Sequence, residues 1–98
     1  MANNLNMNPM FLDTAVALIP AGVPAYPRAI AWVADQAAGS DIAANDDFLL
    51  SDSAGNRIVG KRATFAGDGL EMYHFPEGYN VNGLTLTTID GGVCYLYF

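Results

Sequence analysis

Gly55 through Lys61, GNRIVGK, reproduce the spacing of a phosphate-binding loop as far as its lysine, whose chemistry would be to cradle a nucleotide's phosphates with backbone N–H groups. The next residue is Arg62, not the Ser or Thr that would hold magnesium, and the sequence writes neither a strand before it nor a helix after it. The stretch reads instead as part of a hairpin that contains two glycines. His74 is the single histidine, with Asp68 and Glu71 nearby in sequence. A catalytic dyad needs nucleophile, base and orienting group in one cleft, which neighbours along one strand do not provide. Cys94, the only cysteine, lies in an apolar run with no adjacent base; burial raises a thiol's pKa and makes it inert. Asp41, Asp46, Asp47 and Asp52 form the densest acidic cluster. Their spacing is not that of a helix–loop–helix calcium site, so they read as a solvated acidic loop, with a structural cation as the alternative. A carboxylate pair for sugar cleavage would need a groove to which no residue pattern points. The expectation is a chain that is not an enzyme and uses no cofactor or metal.

The elements that must carry these residues fit one domain, because 98 residues close about one hydrophobic core. Apolar residues make up 52% of the chain and charged ones only 14%, below the roughly 25% charged of an average soluble domain. Such a surface suggests that neighbours cover part of it. Ten acidic residues against Arg28, Arg57, Lys61 and Arg62 give a net charge of −6, which repels phosphate backbones and argues against nucleic-acid partners. A lone cysteine allows no internal disulfide. FLDTAVALIPAGVPA has a signal-like apolar character, but no Lys or Arg precedes it and Asp13 and Pro20 interrupt it, so the chain is expected to be used unprocessed. No window holds the roughly 18 to 20 apolar residues of a membrane helix, and no membrane partner is expected.

Residues 1–12, rich in Asn and Met, read as an extended amino-terminal arm, and 13–98 as a single antiparallel β-sandwich, jelly-roll-like in architecture. TAVALI (14–19) suits a first strand. PAGVPAYP (20–27), with three prolines, reads as an extended loop. RAIAWVADQAAGS fits both a helical stripe and a strand face; the strand-rich remainder favours strand. FLLSDSAGNRIVG has the form of a hairpin whose turn uses Asp52, Ser53 and a positive-φ Gly55. RATFAGDGLEMYHF repeats that scheme around Gly67–Gly69, and alternation then places Leu70, Met72 and His74 on one face and Glu71, Tyr73 and Phe75 on the other. In VNGLTLTTID, Leu84 and Leu86 point inward, with Asn82 and Gly83 suited to a bulge.

Asp90, Gly91 and Gly92 then turn the chain into the final strand, VCYLYF. One face carries Val93, Tyr95 and Tyr97 and the other Cys94, Leu96 and Phe98, so both faces require cover. One side is the domain's own core, and Tyr suits a surface that meets another chain. The candidate subunit-contact residues are Tyr95, Tyr97 and Phe98, with Phe11.

RAIAWVA, LLSDSAGNRIV and YHFPEGYNVNGLTLTTIDGGVCYLYF together resemble the small β-sandwich structural proteins of tailed bacteriophages, in particular head decoration or cement proteins. The shared features are a strand ending in Trp plus a small apolar residue, an Asp-x-x-Gly hairpin, and an Asn-Gly-Leu strand paired through Asp-Gly-Gly to a last aromatic strand. The resemblance covers residues 28–98. It implies synthesis in the cytoplasm of an infected bacterium and addition to the outer capsid surface of the virion. It also implies a homotrimer whose partner is the major capsid protein and whose role is to bridge coat subunits. Two other readings stand beside it: a tail, neck or fibre-tip component of the same particle, and a carbohydrate-binding module using an exposed Trp32 and the tyrosines.

Overall fold

A computed structural model describes residues 3, 8–34 and 41–98. Eight strands form: β1 (Met10–Leu12), β2 (Val16–Ala25), β3 (Ala29–Val33), β4 (Asp47–Ser51), β5 (Arg57–Arg62), β6 (Leu70–His74), β7 (Val81–Ile89) and β8 (Val93–Tyr97). They make two antiparallel four-stranded sheets, sheet I in the order β1-β8-β3-β6 and sheet II in the order β2-β7-β4-β5. Only the step from β4 to β5 stays within one sheet; every other connection crosses the sandwich. This is the strand arrangement of a jelly roll, and the expected all-β sandwich is what the chain forms.

The alternation written in the sequence builds the core. Leu12, Cys94, Trp32 and Leu70 form one row across sheet I, and Met10, Leu96 and Ile30 the next, which ends on the exposed Tyr73. Val16, Leu86, Leu50 and Val59 answer them from sheet II. Leu12, Ile30, Leu50, Leu86, Cys94 and Leu96 are fully buried, each of the larger ones contributing about 1.5–3 kcal/mol. Trp32 is also sealed at 0% exposure, stacked on Phe48 of the opposite sheet at 5.3 Å between ring centroids. Its indole Nε1 donates to the Gly91 carbonyl at 2.8 Å.

The chain departs from four of the sequence expectations. Residues 10–12, assigned to the arm, are strand β1 paired with β8; residues 1–2 and 4–7 lie outside the described residues. The segment expected as a loop at 20–27 is strand as far as Ala25, on the edge of sheet II. Pro20 and Pro24 lack an N–H for the ladder. The chain accommodates them by an irregularity: Ile19 faces Leu84 and Pro24 faces Asn82, so residues 20–23 bulge out opposite Gly83.

The hairpin expected around Gly67–Gly69 does not form. Ala63 continues the pairing with residues 45 and 46, and Gly67 N–H donates to the Ile42 carbonyl. The chain then crosses to sheet I, where β6 pairs with β3. Nor do β7 and β8 pair through Asp-Gly-Gly: they lie in opposite sheets, because the Leu84/Leu86 and Cys94/Leu96 faces meet across one core. Gly91 suits this crossing, since any Cβ there would meet the Asp41 carbonyl oxygen and the Asp46 carboxylate.

The hairpin at 47–62 forms as expected, with Gly55 at φ +86°. Residues 29–33 are the strand favoured over a helix, while 35–40 lie outside the described residues.

Candidate functional site

The outer faces of the two sheets differ sharply. Sheet II carries Thr85, Ser51 and Arg57 in one row and an Asp47–Arg62 ion pair at 2.8 Å in another. The outer face of sheet I is apolar and aromatic across β1, β8 and β3. Phe11, Tyr95 and Ala31 form one row, Tyr97 and Ala29 the next, and Val93 with Val33 the third; Val33 is exposed and Tyr95 and Tyr97 half-buried, while Phe11, Ala29, Ala31 and Val93 are buried. No charged side chain stands among them. Phe11 and Tyr95 meet edge to face at 5.5 Å, a favoured aromatic geometry.

Three of the four candidate contact residues, Phe11, Tyr95 and Tyr97, therefore lie on one side of sheet I, the two tyrosines half-buried and Phe11 buried. Phe98 does not join them: it packs against the core cluster, and its backbone N–H and carbonyl are both held by the Asn8 side chain, at 3.0 and 2.8 Å. Phe98 closes the end of the sandwich.

At one end of this face, sequence reading missed a groove of about 980 Å³. Its floor is Ala29, which pairs with Tyr97 on one side and His74 on the other. The small side chain leaves the space that its larger neighbours wall. Tyr26 and Arg28, from the β2–β3 connection, and Phe75, Glu77 and Tyr79, from the β6–β7 connection, complete the rim with Met72. Phe75 and Tyr79 stack at 5.1 Å, and Tyr73 meets Phe75 edge to face at 5.1 Å. Burial, with the nearby Tyr73 and Asp52 adding to it, holds the Tyr79 phenol above its ordinary pKa. The signal was present in the sequence as YHFPEGY, three aromatics and a histidine within residues 73–79.

Alternation had put Met72 and His74 on a face with Leu70. A bulge in β6 breaks that pattern: Leu70 faces Trp32 and Tyr73 faces Ile30, both core residues, while His74 faces Ala29 on the outside.

The residues first considered for chemistry are engaged elsewhere. Gly55 to Lys61 are the turn and β5, and Lys61 pairs with Asp68 at 3.0 Å. The Thr64 amide, followed by Lys61, holds the Asp68 carboxyl below the usual range. Asp68 is thus a loop brace rather than a partner for His74. Burial pushes the Cys94 thiol up to about 12, the inert hydrophobe expected.

In the acidic cluster three of the four carboxylates have a local task, and Asp41 contributes its backbone carbonyl, which accepts from the Gly92 N–H. Asp46 accepts from the Ala43 N–H, Asp47 binds Arg62, and Asp52 accepts from the N–H groups of Ala54 and Asn56. Among the described residues no three His, Cys, Asp or Glu side chains are grouped to hold a metal. Trp32 is buried, so the sugar platform expected of an exposed Trp32 does not exist.

No protein-family model, curated protein or solved structure matches this chain.

Proposed function

We propose that this chain is a structural protein of a tailed-phage particle, a head decoration or cement protein that docks on the outer surface of the coat lattice. It acts without catalysis, as a homotrimer that bridges subunits of the major capsid protein. The observation that carries this reading is the uncharged outer side of sheet I, where half-buried Tyr95 and Tyr97 stand beside buried Phe11, Ala29 and Ala31. Aromatic side chains around small ones, without charge, are what the centre of a subunit interface requires. Eight-stranded jelly rolls recur in viral capsids, although a fold by itself does not dictate a function.

Binding a formed lattice and not free coat subunits stabilises the shell by mass action. The experiment is co-sedimentation of the purified chain with heads that lack it, and with unassembled coat protein. Saturable binding to heads alone, abolished by Tyr95→Lys in a chain that still folds, is expected. Equal binding of wild type and Tyr95→Lys would remove the sheet I face from the account.

A further inference from the structure

We propose that the groove between the β2–β3 and β6–β7 connections is a binding site for a neutral oligosaccharide. The inference stands on residues other than Phe11 and Tyr95 and does not rest on the proposed role at the phage head.

The aromatic walls come first. Tyr26, Phe75, Tyr79 and Tyr97 surround a groove of about 980 Å³, at the top of the roughly 300–1,000 Å³ range of small-ligand sites. Tyr26 is 57% exposed and Met72 42%, large apolar surfaces left open. Ring faces of this kind suit the C–H faces of pyranose rings.

The polar groups decide between ligand classes. Arg28, His74 and Glu77 line the same groove, and none makes a side-chain hydrogen bond or ion pair with a described residue. Arg28 can only donate and Glu77, ionised, can only accept, while His74 and the tyrosine hydroxyls do either. The occupant must therefore present donors and acceptors close together. Vicinal hydroxyls do this.

A polyproline segment, the other common occupant of aromatic grooves, presents backbone acceptors without N–H donors and leaves Glu77 unpaired. An anionic ligand would suit Arg28 but meet Glu77 and a chain of net charge −6. A neutral sugar satisfies all three groups.

The test is a titration of the ¹⁵N-labelled full chain with maltotriose, cellotriose, chitotriose and mannotriose. Sialyllactose and a decaproline peptide serve as the competing classes. The expected result is saturable shifts from at least one neutral trisaccharide, centred on the amides of His74, Gly78 and Tyr97. Tyr26→Ala, at an exposed position that leaves the fold intact, should weaken that binding about tenfold, equivalent to about 1.4 kcal/mol. Arg28→Ala and Glu77→Ala should each weaken it as well, and Arg57→Ala, on sheet II, should leave it unchanged.

Silence of all four trisaccharides at millimolar concentration would overturn the proposal. So would groove shifts produced by decaproline or sialyllactose alone, or trisaccharide binding that Tyr26→Ala leaves untouched.

Discussion

Replacing Trp32 by Phe should cost this domain about 2–3 kcal/mol, and the sum can be worked from two contacts. The indole N–H donates to the Gly91 carbonyl at 2.8 Å, and Phe has no group to replace it. Leaving a half-buried carbonyl without its partner costs about 1–2 kcal/mol. The smaller ring also opens a void of about 40 Å³ between the sheets, worth about 1 kcal/mol if the site does not collapse. Stacking on Phe48 is retained in part, so it adds little. For a domain of this size the loss lowers Tm by about 10–20 °C.

The assay is urea unfolding followed by far-ultraviolet circular dichroism, because the variant has no tryptophan to report. A shift of the midpoint with an unchanged slope is expected. A loss below about 0.5 kcal/mol would mean that Trp32 neither anchors the β7–β8 crossing nor fills the core as described.

Two pH effects follow from the shifted groups. The buried Cys94 thiol, raised to about 12, contributes stability that is complete below the unfolded thiol's value near 8.5–9 and is lost as pH climbs toward 12. Urea midpoints at pH 7, 9 and 10.5 should therefore fall more steeply for the wild type than for Cys94→Ala, and alkylation of the thiol should proceed only at the rate of unfolding. At the acid end the shifts run the other way: Asp52 is held below the usual range by hydrogen bonds from the turn, the Asn56 amide foremost, and Asp47 by the Arg62 side chain. That stability is present above about pH 4 and disappears as pH drops through the lowered values, so Asp52→Asn should be less stable than wild type at pH 7 by an amount that shrinks below pH 4 in acid titrations.

Strand content was legible wherever apolar residues alternate against turn chemistry. Leu84 and Leu86, Cys94 and Leu96, and the Asp52–Gly55 turn all stand where their spacing puts them. What spacing does not record is which sheet a strand joins. Asp90-Gly91-Gly92 has the composition of a hairpin turn and serves as a crossing between sheets; the difference lies in Trp32 and Asp41, distant residues that bond to Gly91 and Gly92.

The prolines of β2 exclude a central strand but not, as the loop expectation supposed, a strand altogether. Their tolerance on an edge depends on β2 having one neighbour, a fact of topology. The β6 bulge likewise reversed the expected face of His74, because a single extra residue changes everything beyond it. The sheet I face was visible in part, through Tyr95 and Tyr97. Of the groove only the aromatic run YHFPEGY was legible, since Tyr26, Ala29 and Tyr79 belong to three segments that only the fold brings together.

The copy number of this chain in purified phage particles, measured by quantitative mass spectrometry against the major coat protein, tests the central claim most directly. A cement protein of the head predicts a ratio near one per coat subunit. A ratio far below that, or absence from the particle, would contradict a role in covering the lattice.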